Sequence, residues 1–156
     1  MSILFWMACA LFPGLIIEVF MQRGIAWIVD DDSSIRWVLE RALTGAGLSC
    51  TTFESGNEVL DALTTKTPDV LLSDIRMPGM DGLDFAERAH EMYPDTVIVI
   101  LTGYDSFAYA QKAITIGVKE YLLKPIDYEE LKNMAARLAE EIHAKKDEQQ
   151  EVRDLQ

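Results

Sequence analysis

Val70-Leu-Leu-Ser-Asp74-Ile-Arg-Met-Pro-Gly-Met-Asp-Gly82 is the stretch that decides the fold. Its opening apolar run has no polar alternation, as expected of a central strand covered on both faces. The run stops at a carboxylate and passes into a Pro78-Gly79 turn. The same pattern recurs on both sides of it. Ile25-Ala-Trp-Ile-Val29 ends in Asp30-Asp31-Asp32, Val97-Ile-Val-Ile-Leu101 ends in Thr102, and Tyr121-Leu-Leu123 ends in Lys124-Pro125. In an open parallel sheet, ligands bind at the carboxyl ends of the strands. An acidic cluster beside a lone Asp, a Thr and a Lys is chemistry for Mg²⁺ and a phosphoryl group.

Helical periodicity fills the intervals, so the chain reads as successive βα units on a parallel sheet. The first strand, Ile25 to Val29, leads to a helix with Ile35, Val38, Leu39, Ala42 and Leu43 on one face. Ser33 or Ser34 is the expected cap, and Gly45 and Gly47 the stop. Leu48 to Phe53 is a weaker strand suited to a sheet edge. Helical spacing follows over Ser55 to Leu63, Leu83 to Tyr93 and Ser106 to Ile116, with strands at Thr96 to Leu101 and Lys119 to Leu123. Asp127 caps a last helix carrying Leu131, Met134, Leu138 and Ile142. Five units result. Residues 145–156 turn polar and predict a charged helical linker or tail; Val152 and Leu155 give only a thin seam for a coiled coil.

At 156 residues the chain can bury one proper core. A formal net charge of −12 argues against direct nucleic-acid binding, because phosphate contacts need clustered Lys and Arg. Cys9 and Cys50 match no metal spacing, Cys50 reads as a small core residue, and a reduced, cytoplasmic setting fits. His90 and His143 read as exposed helical histidines.

Residues 1–20 are almost wholly apolar. They lack the basic n-region of a secretory signal, and Pro13-Gly14 and Glu18 interrupt a spanning helix of about 20 residues. An upstream start or a vector-derived extension is the first reading, ahead of Met21-Gln-Arg-Gly24 as the natural start. A membrane or partner anchor and an extra packed element are the others.

A carboxylate is a competent phosphoryl acceptor once charge is neutralised. Asp31 and Asp74 can ligate Mg²⁺, with Asp30 holding a metal-bound water and the backbone carbonyl of Arg76 completing the protein's share. Lys124 supplies a point charge and Thr102 a hydroxyl donor. Taken singly, each mark has a bland reading: capping carboxylates, a turn, a surface lysine. Lys124-Pro125 is a candidate cis peptide that would aim Lys124 inward. Consistency at four strand ends favours the site.

The motif set Val29-Asp-Asp31, Ser73 to Gly82, Leu101-Thr-Gly103 and Leu123-Lys-Pro125 resembles the receiver domain of two-component response regulators, over about residues 21–144. The resemblance implies a flavodoxin-like α/β fold, a doubly wound five-stranded parallel sheet of order 2-1-3-4-5 with helices on both faces. It implies Mg²⁺-dependent transfer from a histidine kinase to Asp74. Asp30, Asp31, Asp74 and Arg76 are the metal positions, Thr102 and Lys124 the phosphoryl contacts, and Tyr121 the aromatic switch. Residues 21–82 resemble the nitrogen-regulation, sigma-54-activating branch. Residues 101–131 look more like regulators with AraC-type output, so a hybrid chain is one reading.

The expected function is a signalling switch that changes the surface of helix four, strand five and helix five, where Tyr104, Phe107 and Tyr109 cluster. Those aromatics read equally well as covers for the core edge. The switch acts on itself rather than on an external substrate and can form a homodimer on phosphorylation. The output domain would lie outside the chain. A scaffold without working output and an aspartyl-phosphate phosphohydrolase are the alternatives.

Overall fold

Alternation within each strand divides the core in two. Ala26, Ile28, Val70, Leu72, Val99 and Leu101 point to one side of the sheet. Trp27, Val29, Leu71, Ile98 and Ile100 point to the other. Both sets are buried, which is why these strands read as continuous apolar runs. The computed structural model describes Ile3, Met7, Ala10, Leu11 and residues 24–77, 79–103 and 107–156.

The sheet is built from β1 (Ile25–Val29), β2 (Ser49–Phe53), β3 (Val70–Asp74), β4 (Val97–Thr102) and β5 (Glu120–Leu123). All pairings are parallel, in the order β2-β1-β3-β4-β5. This is the doubly wound, flavodoxin-like arrangement expected. The order reverses beside β1, so the ends of β1 and β3 flank a crevice that no crossover helix fills. β2 and β5 lie at the edges, β2 as its weaker apolar character predicts and β5 as the expected strand order requires.

Helices α1 (Ser33–Gly45) and α5 (Tyr128–Asp154) cover the first face, with Leu39, Leu43, Leu131, Met134 and Leu138 against the sheet. On the second face lie α2 (Gly56–Leu63), α3 (Gly82–Met92) and α4 (Phe107–Ile116), burying Val59, Leu63, Phe85, Ala86 and Ala113. Ser55, Asp81 and Asp127 cap α2, α3 and α5 through side-chain oxygens.

The cap of α1 differs from expectation. It is Asp32, which accepts from the amides of Ser34 and Ile35, rather than Ser33 or Ser34. An ionised acceptor favours an N-terminus more than a hydroxyl does. His90 also departs from the sequence reading. It is half-buried, with its ring against Gly117, whose φ of +97° marks the turn after α4. Cys50 is half-buried against the α1 and α5 side of the core.

Beyond Ile142, the last buried residue of α5, the helix continues to Asp154. Lys145 and Lys146 tie it to the base of the sheet at Asp95 (3.5 Å) and Asp69 (3.2 Å). Of residues 1–20, the described ones, Ile3, Met7, Ala10 and Leu11, are helical and exposed. The rest of that segment with Cys9, the proposed start at 21–23, the Pro78 turn residue, Tyr104 and Ser106 lie outside the described residues. Among the described residues no helix is long and apolar enough to cross a membrane.

Candidate functional site

Four strand ends bring the polar residues together. β1 runs out at Val29 and places Asp30 and Asp31 in the loop before α1. β3 ends on Asp74 itself, β4 on Thr102, and β5 one residue before Lys124. Carboxylate oxygens of Asp30, Asp31 and Asp74 lie within 4.8 Å of one another. Asp30 is fully buried and Asp74 is 6% exposed, while Asp31 opens to solvent.

Lys124 is the cation that meets this cluster. Its Nζ donates to Asp30 Oδ2 at 2.9 Å and lies 3.4 Å from Asp74 Oδ2. The Lys124–Pro125 bond is cis, and the Lys124 amide donates to the Thr102 carbonyl at 2.7 Å. The second Asp30 oxygen accepts from the Asp32 amide at 2.9 Å. The Arg76 amide donates to Asp74 Oδ1 at 3.3 Å.

Burial pushes the Asp30 carboxyl above its ordinary value of 3.8, and the nearby Asp74 charge adds to the rise. The Lys124 bond and the Asp32 amide oppose it without cancelling it. Burial pulls the Lys124 ammonium down, but the bond to Asp30 and the two carboxylate charges outweigh that and hold it above 10.5.

Three carboxylates against one ammonium leave two negative charges in excess when all are ionised (3 − 1 = 2). Hard oxygen donors, an opening at Asp31 and that excess charge fit a divalent cation such as Mg²⁺. The bland reading of Asp30-Asp31-Asp32 as helix-capping carboxylates explains Asp32 alone. Thr102 is fully buried, and strand alternation puts it on the face of Ile98 and Ile100. Tyr121, opposite Ile100 in register, packs half-buried on that same face.

Two residues that the sequence reading did not single out also shape the site. Gly82 donates its amide to the Ile75 carbonyl at 2.8 Å. Between them, Arg76–Met77 pairs antiparallel with Met80–Asp81. The chain after Asp74 thus doubles back onto the Asp74 backbone. Arg36 donates from Nη1 to the Asp30 carbonyl at 2.6 Å. A cation in the first turn of a helix works against the helix dipole. That misplacement was the signal available in the sequence.

Asp30→Asn is expected to stabilise the fold, because it removes one of three crowded carboxylates and leaves Lys124 its contact with Asp74. A gain of about 1 kcal/mol corresponds to a melting midpoint about 2–4 °C higher. Thermal denaturation without Mg²⁺ checks it, and a lower midpoint refutes it.

A family profile described as the response regulator receiver domain matches residues 26–136. The DNA-binding transcriptional regulator NtrC of Klebsiella pneumoniae is 68% identical over 110 residues, 70% of this chain and 24% of that protein. NtrC of Escherichia coli (strain K12) is 54% identical over 136 residues, 87% of this chain and 28% of that protein. The chain therefore spans about a quarter of the length of these relatives. The solution structure of the apo receiver domain of nitrogen regulatory protein C superposes with a TM-score of 0.68 at 56% identity, covering 78% of this chain and 98% of that one.

Proposed function

The chain belongs to the response regulator receiver domain family, and from that premise we propose that it is a phosphoacceptor switch in which Asp74 takes a phosphoryl group from a sensor histidine kinase. The observation that carries the reading is the Asp30, Asp31 and Asp74 cluster with Lys124 reaching into it. An Asp74 carboxylate oxygen forms the bond to phosphorus as the phosphohistidine P–N bond breaks. The imidazole leaves and takes a proton from solvent. Lys124 offsets charge on the incoming phosphoryl oxygens, and the Arg76 amide orients Asp74. Asp30, Asp31, Asp74 and the Arg76 carbonyl would hold Mg²⁺, which supplies the charge neutralisation that anion-on-anion attack requires.

Once Asp74 carries the phosphoryl group, the Thr102 hydroxyl moves to it and Tyr121 turns into the space released. Their shared face supports this coupling. The α4-β5-α5 surface then shifts by population change between two packings. Phe107 (82% exposed) and Ile114 (77% exposed) on α4 favour an output surface over a core cover, and homodimerisation is one use of it.

The chain acts on its own Asp74 rather than turning over an external substrate. The working domain is residues 21–144, with 145–156 as a helical linker, residues 1–20 as an added extension, and the cytoplasm as its place of action. A join between a nitrogen-regulation front half and a second half from a regulator with AraC-type output is the finer reading. The match to the E. coli protein covers 136 residues and so extends into the second half. Sequencing the source gene across residues 82–101 decides the matter, and an unbroken natural gene overturns the hybrid.

Incubation with Mg²⁺ and a small phosphodonor, read by intact mass, tests the function. One phosphoryl adduct is expected, dependent on Mg²⁺ and absent from Asp74→Asn. No adduct on folded protein would leave a scaffold without working chemistry.

A further inference from the structure

Arg36 is placed against the usual preferences of its position. It lies in the first turn of α1, where the helix dipole disfavours a cation, and its side chain is only 15% exposed. Ordering so long a side chain costs rotamer entropy, so its contacts must compensate. Nη1 donates to the Asp30 carbonyl at 2.6 Å, and Nη2 lies 3.5 Å from Glu54 Oε1 in the loop after β2. The Asp30 amide is held from the other side by the Phe53 carbonyl at 3.2 Å.

The bonded carbonyl belongs to the peptide that joins Asp30 to Asp31. That unit is planar, so fixing its oxygen limits how the two side chains are directed relative to each other. One of them is buried and bonded to Lys124, and the other faces solvent across the cluster. We propose that Arg36 is a positioning residue: by locking the Asp30–Asp31 peptide it sets the affinity of the acidic cluster for Mg²⁺, without touching the metal or the phosphoryl group. The inference rests on the phosphoacceptor reading above.

Two effects of the guanidinium have opposite signs. Its positive charge repels a divalent cation, so by Coulomb's law alone its removal would tighten Mg²⁺ binding. Its hold on the peptide keeps the donors aimed, so its removal would weaken binding. The short bond goes to a carbonyl and not to a carboxylate of the cluster, and the second arm reaches a largely exposed Glu54. Positioning therefore outweighs repulsion. Outer-shell partners of metal ligands typically affect affinity by about 10–100-fold.

The test is a titration of the full chain with MgCl₂, following backbone amide resonances of Asp30, Asp31 and Asp32 by NMR. Wild type, Arg36→Met and Arg36→Lys are compared. Arg36→Met is expected to raise the Mg²⁺ dissociation constant about tenfold. Arg36→Lys, which keeps the charge and one donor, is expected to raise it less. At saturating Mg²⁺, both variants are expected to take the phosphoryl group from a small donor at close to the wild-type rate.

Unchanged or tighter Mg²⁺ binding in Arg36→Met overturns the proposal, and so does a phosphorylation defect that saturating Mg²⁺ does not repair. If Arg36→Met does not fold, Arg36→Lys decides alone, and an unchanged constant there is equally fatal. A wild-type chain that neither binds Mg²⁺ nor takes a phosphoryl group brings down the phosphoacceptor reading itself. Wild-type binding with unaltered variants brings down only the role of Arg36.

Discussion

Gly82→Ala is expected to destabilise the fold by about 3 kcal/mol or more and to remove most phosphorylation at Asp74. Helix propensity points the other way, since alanine is better than glycine by about 1 kcal/mol in a helix interior. Space decides against propensity. A Cβ at position 82 would overlap the Asp74 carbonyl oxygen and sit 2.5 Å from Ile75 Cα and 2.9 Å from the Ile75 carbonyl carbon. All three are backbone atoms at the end of a central strand, and no flexible side chain is there to yield. Gly82 has no positive φ, so the requirement is for close approach and not for a left-handed backbone. Relief would come from lifting α3 or from moving Asp74 away from Asp30 and Lys124. A loss of about 3 kcal/mol lowers the melting midpoint by about 6–12 °C for a chain of this size. Thermal denaturation and intact mass after treatment with a phosphodonor check both effects. An unchanged midpoint with full phosphorylation would show that the hairpin gives way without disturbing the acceptor.

The architecture was legible because burial on both faces leaves continuous apolar runs in β1, β3 and β4, each ended by a polar residue. Strand ends could therefore be counted directly, and Asp30, Asp31, Asp74 and Lys124 follow from them. Less legible was the division of labour within Asp30-Asp31-Asp32. Identical side chains separate into a buried site carboxylate, an exposed one and a helix cap only when the chain's exit direction from β1 is known. Arg36 showed in the sequence only as a misplaced cation, and its role was hidden for a related reason. Its partner is a backbone carbonyl, and backbone acceptors leave no mark in sequence. Gly82 stood in the sequence only as the last residue of the motif after Asp74, and what a side chain would strike there depends on the return of the hairpin onto Asp74. His90 illustrates the limit of helical periodicity, which places a residue on a face but does not show that the Gly117 turn covers it.

Lys124→Met is the substitution expected to make stability depend most strongly on pH and Mg²⁺. It preserves much of the side-chain length and removes the ammonium held between Asp30 and Asp74. Breaking a buried pair by removing one partner costs about 3–5 kcal/mol. Lys124 is 22% exposed and Asp31 opens to solvent, so the lower end of that range applies. The cost is tied to the ionised form of Asp30. Its folded pKa already lies above 3.8 through burial, and loss of the Lys124 bond raises it further. A carboxyl raised on folding contributes stability that is complete below its unfolded value and lost as pH rises through its folded value. Wild type and variant should therefore be nearly equal in stability below about pH 3.8, the ordinary value of an Asp carboxyl. The gap should open as pH rises through the Asp30 transition and be full once that carboxyl is ionised. At strongly alkaline pH it should narrow again, because Lys124, raised above 10.5 in the folded wild type, then loses its proton. Mg²⁺ should restore the variant more than the wild type, since a divalent cation supplies the missing positive charge. Denaturation midpoints measured across pH with a chelator, and again with Mg²⁺, separate this electrostatic account from packing. A gap of constant size at every pH, indifferent to Mg²⁺, would mean that the Lys124 stem matters and its charge does not.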